Sequence, residues 1–235
     1  RGTASINGLD CWSKATEIQR FLGYIPGEIA FPDGMSGDEF LKLMHDMRGT
    51  KDTKLQNRLL EMFELDPKGK IKRFSKGMKQ KLGIVAAFMH DPQVLVLDEP
   101  TSGLDPLMQN TFFEMIREEQ QAGATIFFSS HMLGEVQKLC NRVAIIKEGR
   151  LVNVESMRNL IGSRFKKVTL TLEDPERLEL PLQGVMNRTA AGQTLSFLFN
   201  GDLQQLLQCL SAAQLTDLRI EEPDLEEIFL HYYQS

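Results

Sequence analysis

The chain has 235 residues, 42% hydrophobic and 25% charged, with 27 basic and 32 acidic side chains and a net charge of −5. This is ordinary soluble globular composition, and a chain this long can bury a substantial core without staples. The acidic balance and the lack of a long basic tract speak against nucleic acid as a partner. No apolar run reaches the ~18 residues needed to span a bilayer, and no signal peptide is visible. Cys11, Cys140 and Cys209 are far apart and odd in number, which argues against a disulfide framework or zinc site and fits a reducing cytosol.

In chain order, Thr3–Gly8 reads as a strand ending in a turn. Phe21–Pro26 reads as a second short strand stopped by proline. Pro32, Gly34 and Gly37 mark a loop. Ser36 and Glu39 form an S-x-x-E capping box ahead of Phe40, Leu43, Met44 and Met47 at helical spacing. Leu55, Leu59, Met62 and Phe63 predict another helix, broken by Leu65–Gly69. A third helix starts near Ser75 and carries Met78, Leu82, Val85, Ala86 and Met89 on one side. Val94–Leu97 is a continuous apolar run, as in a strand buried on both faces. Asp105-Pro106 starts a helix reaching about Gly123. Ala124–Phe128 is a second buried strand, and a helix over Leu133–Leu139 follows. Val143–Ile146 and Leu151–Val154 flank Glu148-Gly149 as a hairpin. Strands alternating with helices from Val94 to Ile146 indicate a parallel α/β layer.

Composition changes near Ile161–Arg164. Beyond it, Val168, Leu170 and Leu172 alternate, as do Leu195, Phe197 and Phe199. Leu203–Leu210 reads as a helix, Leu215–Ile220 as a strand and Leu225–Tyr232 as a last helix. Two domains are therefore expected, 1–162 and 163–235, the second a small α+β unit.

Three places carry chemistry. The strand Val94–Leu97 runs into Asp98 and Glu99, and ligands in α/β sheets sit beyond the carboxyl ends of strands. An acid there suits Mg²⁺, and the next acid suits polarising an attacking water. Ser75-Lys76-Gly77-Met78-Lys79 opens a helix. A capping serine, a glycine and the helix dipole make that end an anion site, with Lys68, Lys70, Lys72 and Arg73 adding positive potential. Ser129-Ser130-His131 ends the second strand on the same ligand side. His45, His90 and His231 lack such a context and read as structural or surface residues.

Each signal alone also fits an ordinary solvated turn, a capped helix or a structural histidine; their order is specific. Ser75–Lys79, Val94–Pro100, Thr101–Pro106 and Ser130-His131 together resemble an ABC-type ATP-binding subunit over about the first 160 residues. Ser75–Lys79 resembles the signature motif, usually LSGGQ. Asp98 and Glu99 match the Walker B aspartate and catalytic glutamate, Ser102–Asp105 the D-loop, and His131 the switch histidine. The resemblance implies a RecA-like P-loop core with a helical subdomain at about 36–90. It implies two such subunits sandwiching ATP. Ser75, Lys76, Gly77 and Met78 would contact nucleotide across the interface, and Asp105 would couple the two sites. Asp98 would hold Mg²⁺, with Glu99 and His131 catalytic. The implied partners are a transmembrane permease and a second nucleotide-binding subunit, identical or not, at the cytoplasmic face of the membrane. The C-terminal Pro223–Leu230 stretch is similar to the ending of exporter-type ATPases.

There are departures. No G-x-x-x-x-G-K-S/T, the motif of the loop that cradles phosphates, occurs in the sequence, and the resemblance implies that Arg1 falls partway into the domain. The chain as written is expected to bind ATP poorly. Gly27-Glu28 stands where a glutamine is common, and Lys76 and Met78-Lys79 replace a glycine and a glutamine of the signature. Two other readings stay open: a soluble ABC-type ATPase acting on nucleic acid or ribosomes, and a non-hydrolytic regulatory half.

Overall fold

The computed structural model describes residues 2–162, 165–173, 178, 180, 183–211 and 213–228, with the side chains of 161 and 162 excepted. It divides into two compact units, residues 1–131 and 132–235. That division lies upstream of the compositional change near Ile161.

In the first unit a two-residue hairpin, β1 (Ser5–Ile6) and β2 (Leu9–Asp10), turns at Asn7-Gly8, where both residues have positive φ. The sequence predicts the first strand and the turn but not the return strand. After α1 (Ala15–Ile18), β3 (Leu22–Ile25) enters the sheet. Two helices follow, α2 (Gly37–Arg48) and α3 (Lys54–Met62). The capping box at α2 is complete: the Glu39 amide donates to Ser36 Oγ at 3.3 Å and the Ser36 amide donates to Glu39 Oε2 at 2.7 Å. Then come α4 (Lys76–Phe88), β4 (Val94–Asp98), α5 (Pro106–Gln121) and β5 (Thr125–Ser129). The strands form a parallel sheet in the order β3-β4-β5.

Both steps, β3 to β4 and β4 to β5, move in the same direction across the sheet. Right-handed crossovers then put α4 and α5 on one face. Phe88 of α4 meets Phe112 of α5 edge-on at 6.3 Å, consistent with this. Beneath them Ile25, Leu95 and Leu97 are fully buried. The opposite face is open, and this corrects the expectation that β4 and β5 are buried on both sides. Tyr24, Val96 and Phe127 are register partners in one row. Tyr24 is 55% and Phe127 67% exposed. The physical reason is the topology: no described helix between these strands crosses to that side.

The second unit begins with α6 (Leu133–Leu139). The hairpin β6 (Arg142–Lys147) and β7 (Arg150–Ser156) turns at Glu148-Gly149, both at positive φ, as the sequence predicts. After α7 (Met157–Gly162) comes an antiparallel sheet of β8 (Lys166–Leu172), β9 (Val185–Ala191), β10 (Thr194–Phe199) and β11 (Leu215–Glu221), in the order β11-β8-β10-β9. One face carries Val168, Leu170, Leu172, Leu195, Phe197 and Phe199 onto Leu206 and Leu210 of α8 (Leu203–Leu210). The alternation read in β8 and β10 is this inward face. Residues 225–228 are helical. The rest of the expected last helix and His231 lie outside the described residues.

Candidate functional site

The candidate site is built at the carboxyl ends of β3, β4 and β5. Asp98 ends β4 and lies directly opposite Ser129, the last residue of β5. The Ser129 hydroxyl donates to Asp98 Oδ1 at 2.5 Å. On the β3 side, Gly27 approaches so closely that a Cβ there would sit 2.9 Å from Asp98 Oδ2. The Asp98 carboxylate is thus held by a hydroxyl on one flank and kept clear of a side chain by Gly27 on the other, while the residue stays exposed.

Glu99 turns the chain out of the strand with φ +48°, a left-handed conformation uncommon for a residue with a side chain. Its amide donates to the Ser129 carbonyl at 3.1 Å, and its carbonyl accepts from the Ser102 amide at 3.1 Å. Both carboxylate oxygens accept from His131: Oε1 from the backbone amide at 3.0 Å and Oε2 from ring Nδ1 at 2.7 Å. The His131 side chain is 74% exposed and that of Glu99 30%.

The helix opening at Ser75 touches the same turn. Ser75 caps α4, its hydroxyl accepting from the Met78 amide at 3.1 Å. Lys76 and Gly77, in the first turn, have no intrahelical amide acceptor by helix geometry. A Cβ at Gly77 would meet the Gly103 carbonyl at 2.8 Å, and the Lys76 stem covers Gly103. One turn on, Gln80 is buried and donates its side-chain amide to the Pro100 carbonyl at 2.7 Å. These contacts tie the start of α4 to the loop that follows the two acids. Asp105, at the end of that loop, caps α5 by accepting from the Met108 amide at 3.0 Å.

Asp98, Glu99 and His131 are therefore brought together, and Ser75–Met78 abut the 100–103 loop. The sequence places Ser129 at the strand end on the ligand side but does not pair it with Asp98, and it gives no sign of Gln80. Of the other histidines, the two among the described residues hold structural positions: buried His45 bonds Thr50 and Gln56 at 2.8 and 2.9 Å, and His90 bonds the Leu22 carbonyl at 3.1 Å. Burial pushes the Cys140 thiol pKa up, which suits an inert thiol.

The donor set fits Mg²⁺ bound with a nucleotide. Mg²⁺ takes one or two carboxylates and completes its shell from water and phosphate oxygens, so a single strand-end acid suffices. The gap kept open by Gly27 beside Asp98 is the space a Cβ would fill. Glu99 is engaged by His131 through both oxygens, and each oxygen keeps a second lone pair.

Comparison with known proteins gives consistent neighbours. A family model described as "AAA domain, putative AbiEii toxin, Type IV TA system" matches residues 17–136. An uncharacterized ABC transporter ATP-binding protein of Synechocystis is 32% identical, aligning with 91% of this chain and 62% of its own length. The Nod factor export ATP-binding protein I of Rhizobium leguminosarum is 32% identical over 73% of this chain and 57% of its own length. A solved ATP-binding subunit of an ABC transporter superposes with a TM-score of 0.63 at 32% identity, over 68% of this chain and 69% of that one. The chain thus spans less than two thirds of the length of either relative.

Proposed function

The chain belongs to the ABC transporter ATP-binding proteins, and from that premise we propose that it carries the hydrolytic acids and signature helix of a transport ATPase. In this reading Asp98 holds Mg²⁺ and Glu99 takes the proton of the attacking water. His131 orients the Glu99 carboxylate and reaches the terminal phosphate. Ser75, Lys76, Gly77 and Met78 contact the nucleotide of a second such subunit, and Asp105 couples the two sites through the 100–105 loop. Bound Mg·ATP supplies the phosphoanhydride bond whose hydrolysis drives the work.

The observation that carries the reading is the different treatment of two adjacent acids. Asp98 is exposed and positioned by a neutral hydroxyl, whereas Glu99 is turned away and bonded through both oxygens to His131. Two acids with separate environments suit two roles, cation ligand and base. The sheet also supports completion by a phosphate-loop unit. β5 is an edge strand among the described residues, and in the Tyr24–Val96–Phe127 row Tyr24 and Phe127 are exposed and Val96 only half-buried. Parallel sheets are ordinarily covered on both faces. A strand beside β5 followed by a helix on the open face would bring its connecting loop to the Asp98 end.

The ATPase part is proposed to run to residue 162, with 163–235 an accessory domain. The work is proposed to be export through a transmembrane permease, from the cytoplasmic face of the membrane; the likeness to a Nod factor export protein supports the direction. No helix among the described residues is long and apolar enough to cross a membrane.

The test is ATP hydrolysis by the intact protein from its native cell. Glu99→Gln is expected to slow turnover by about 10²–10⁴-fold, the usual contribution of a general base, with nucleotide binding retained. An unchanged rate would replace this reading with a non-hydrolytic one.

A further inference from the structure

Ser129 holds both acids at once. Its side chain donates to Asp98 Oδ1, and its main-chain carbonyl accepts the Glu99 amide. This follows from register: β4 and β5 run parallel with Asp98 directly opposite Ser129, so the last side chains of the two strands meet at the sheet's carboxyl edge. The strand before Ser129 is apolar, Ile126-Phe127-Phe128, and a hydroxyl at its last position has no part in a hydrophobic core. On the other flank a Cβ at Gly27 would stand 2.9 Å from Asp98 Oδ2, so the glycine keeps that side of the carboxylate clear.

An exposed carboxylate with nothing beside it samples several rotamers. One held by a hydroxyl keeps a single orientation and still has lone pairs free for a cation. Groups that hydrogen-bond a metal-ligating carboxylate commonly change metal affinity 10- to 100-fold when removed. We infer that Ser129 is a positioning residue for the cation, fixing Asp98 through its hydroxyl while its backbone independently anchors Glu99. The inference rests on the reading of Asp98 as the cation-holding acid. It also separates the two functions of one residue. Ser129→Ala removes the bond to Asp98 and leaves the carbonyl that receives Glu99.

The experiment is a Mn²⁺ titration of the intact protein in the presence of ATP, followed by electron paramagnetic resonance of free and bound Mn²⁺. Thermal unfolding without metal checks that each variant folds. Ser129→Ala is expected to raise the Mn²⁺ concentration for half-saturation by about 10-fold or more. Ser129→Thr, which keeps the hydroxyl, is expected to return it most of the way to the parent value, because the bond to Asp98 can re-form. A merely structural role for Ser129 would show as a lowered unfolding temperature with an unshifted titration, and that result overturns the inference. Asp98→Asn is the control for the underlying reading. If Asp98→Asn weakens Mn²⁺ binding and Ser129→Ala does not, only the Ser129 inference fails. If the parent binds no Mn²⁺ with ATP, or Asp98→Asn is without effect, the assignment of Asp98 fails and the role of Ser129 falls with it.

Discussion

The imidazole of His90 is coupled to folding. Burial, reinforced by the charge of Arg48, holds its pKa down to about 4 from the ordinary 6.5, while its Nε2 bonds the Leu22 carbonyl at the start of β3. The folded state therefore binds this proton more weakly than the unfolded chain. The stabilisation is complete above pH 6.5 and is lost as pH falls toward 4. A shift of this size is worth ~3 kcal/mol for a fully shielded ring, and partial exposure reduces it to roughly 1–2 kcal/mol. Denaturant melts between pH 7 and 4 should show a shallower loss of stability in His90→Gln than in the parent. Identical pH slopes would remove His90 from the account. At this scale the sequence announces the residues that stand at element ends. Ser75, Asp98, Glu99 and His131 each follow or precede a recognisable strand or helix. It is silent about residues whose meaning lies in a distant partner. Ser129 and Asp98 are 31 positions apart and Gln80 and Pro100 are 20 apart, and no local pattern links them.

Among elements, α4 and β3 pack backbone close to backbone. A Cβ at Gly23 would lie 2.4 Å from the Ala87 carbonyl and 2.6 Å from Leu95 Cδ2. Backbone cannot yield as a flexible side chain does, so Gly23→Ala must separate the helix from the sheet or bend the strand. Overpacking of this kind costs about 1–3 kcal/mol. Urea unfolding of the variant should show a midpoint lowered accordingly; a midpoint equal to the parent's would mean that the close approach is not present in solution. The caps of α2, α4 and α5 were legible because a serine or aspartate and its amide partner lie within one turn. β9 was not. Its Asn187, Arg188 and Thr189 are exposed and polar, so the edge strand carries no alternation to read. The double burial expected for β4 and β5 failed for another reason. Continuous hydrophobicity shows that a strand belongs in a covered sheet, but not which described element covers it.

For the whole molecule, the open Tyr24–Phe127 face and the edge of β5 sit beside a site whose acids and helix terminus are already arranged. The family pattern divides nucleotide contacts between the signature helix of one subunit and the acids of another. If Ser75–Met78 serve a second copy's nucleotide, assembly must depend on ATP and must persist when hydrolysis is blocked. The most direct measurement is sedimentation velocity of the intact Glu99→Gln protein, together with any subunit that copurifies, with and without Mg·ATP. The account predicts that Mg·ATP converts the protein to a species of about twice the mass, by the mass-action stabilisation of a state that binds ligand in its interface, and that ADP does not. Saturating ATP binding with no change in mass would contradict a shared site and leave the signature helix without its proposed partner.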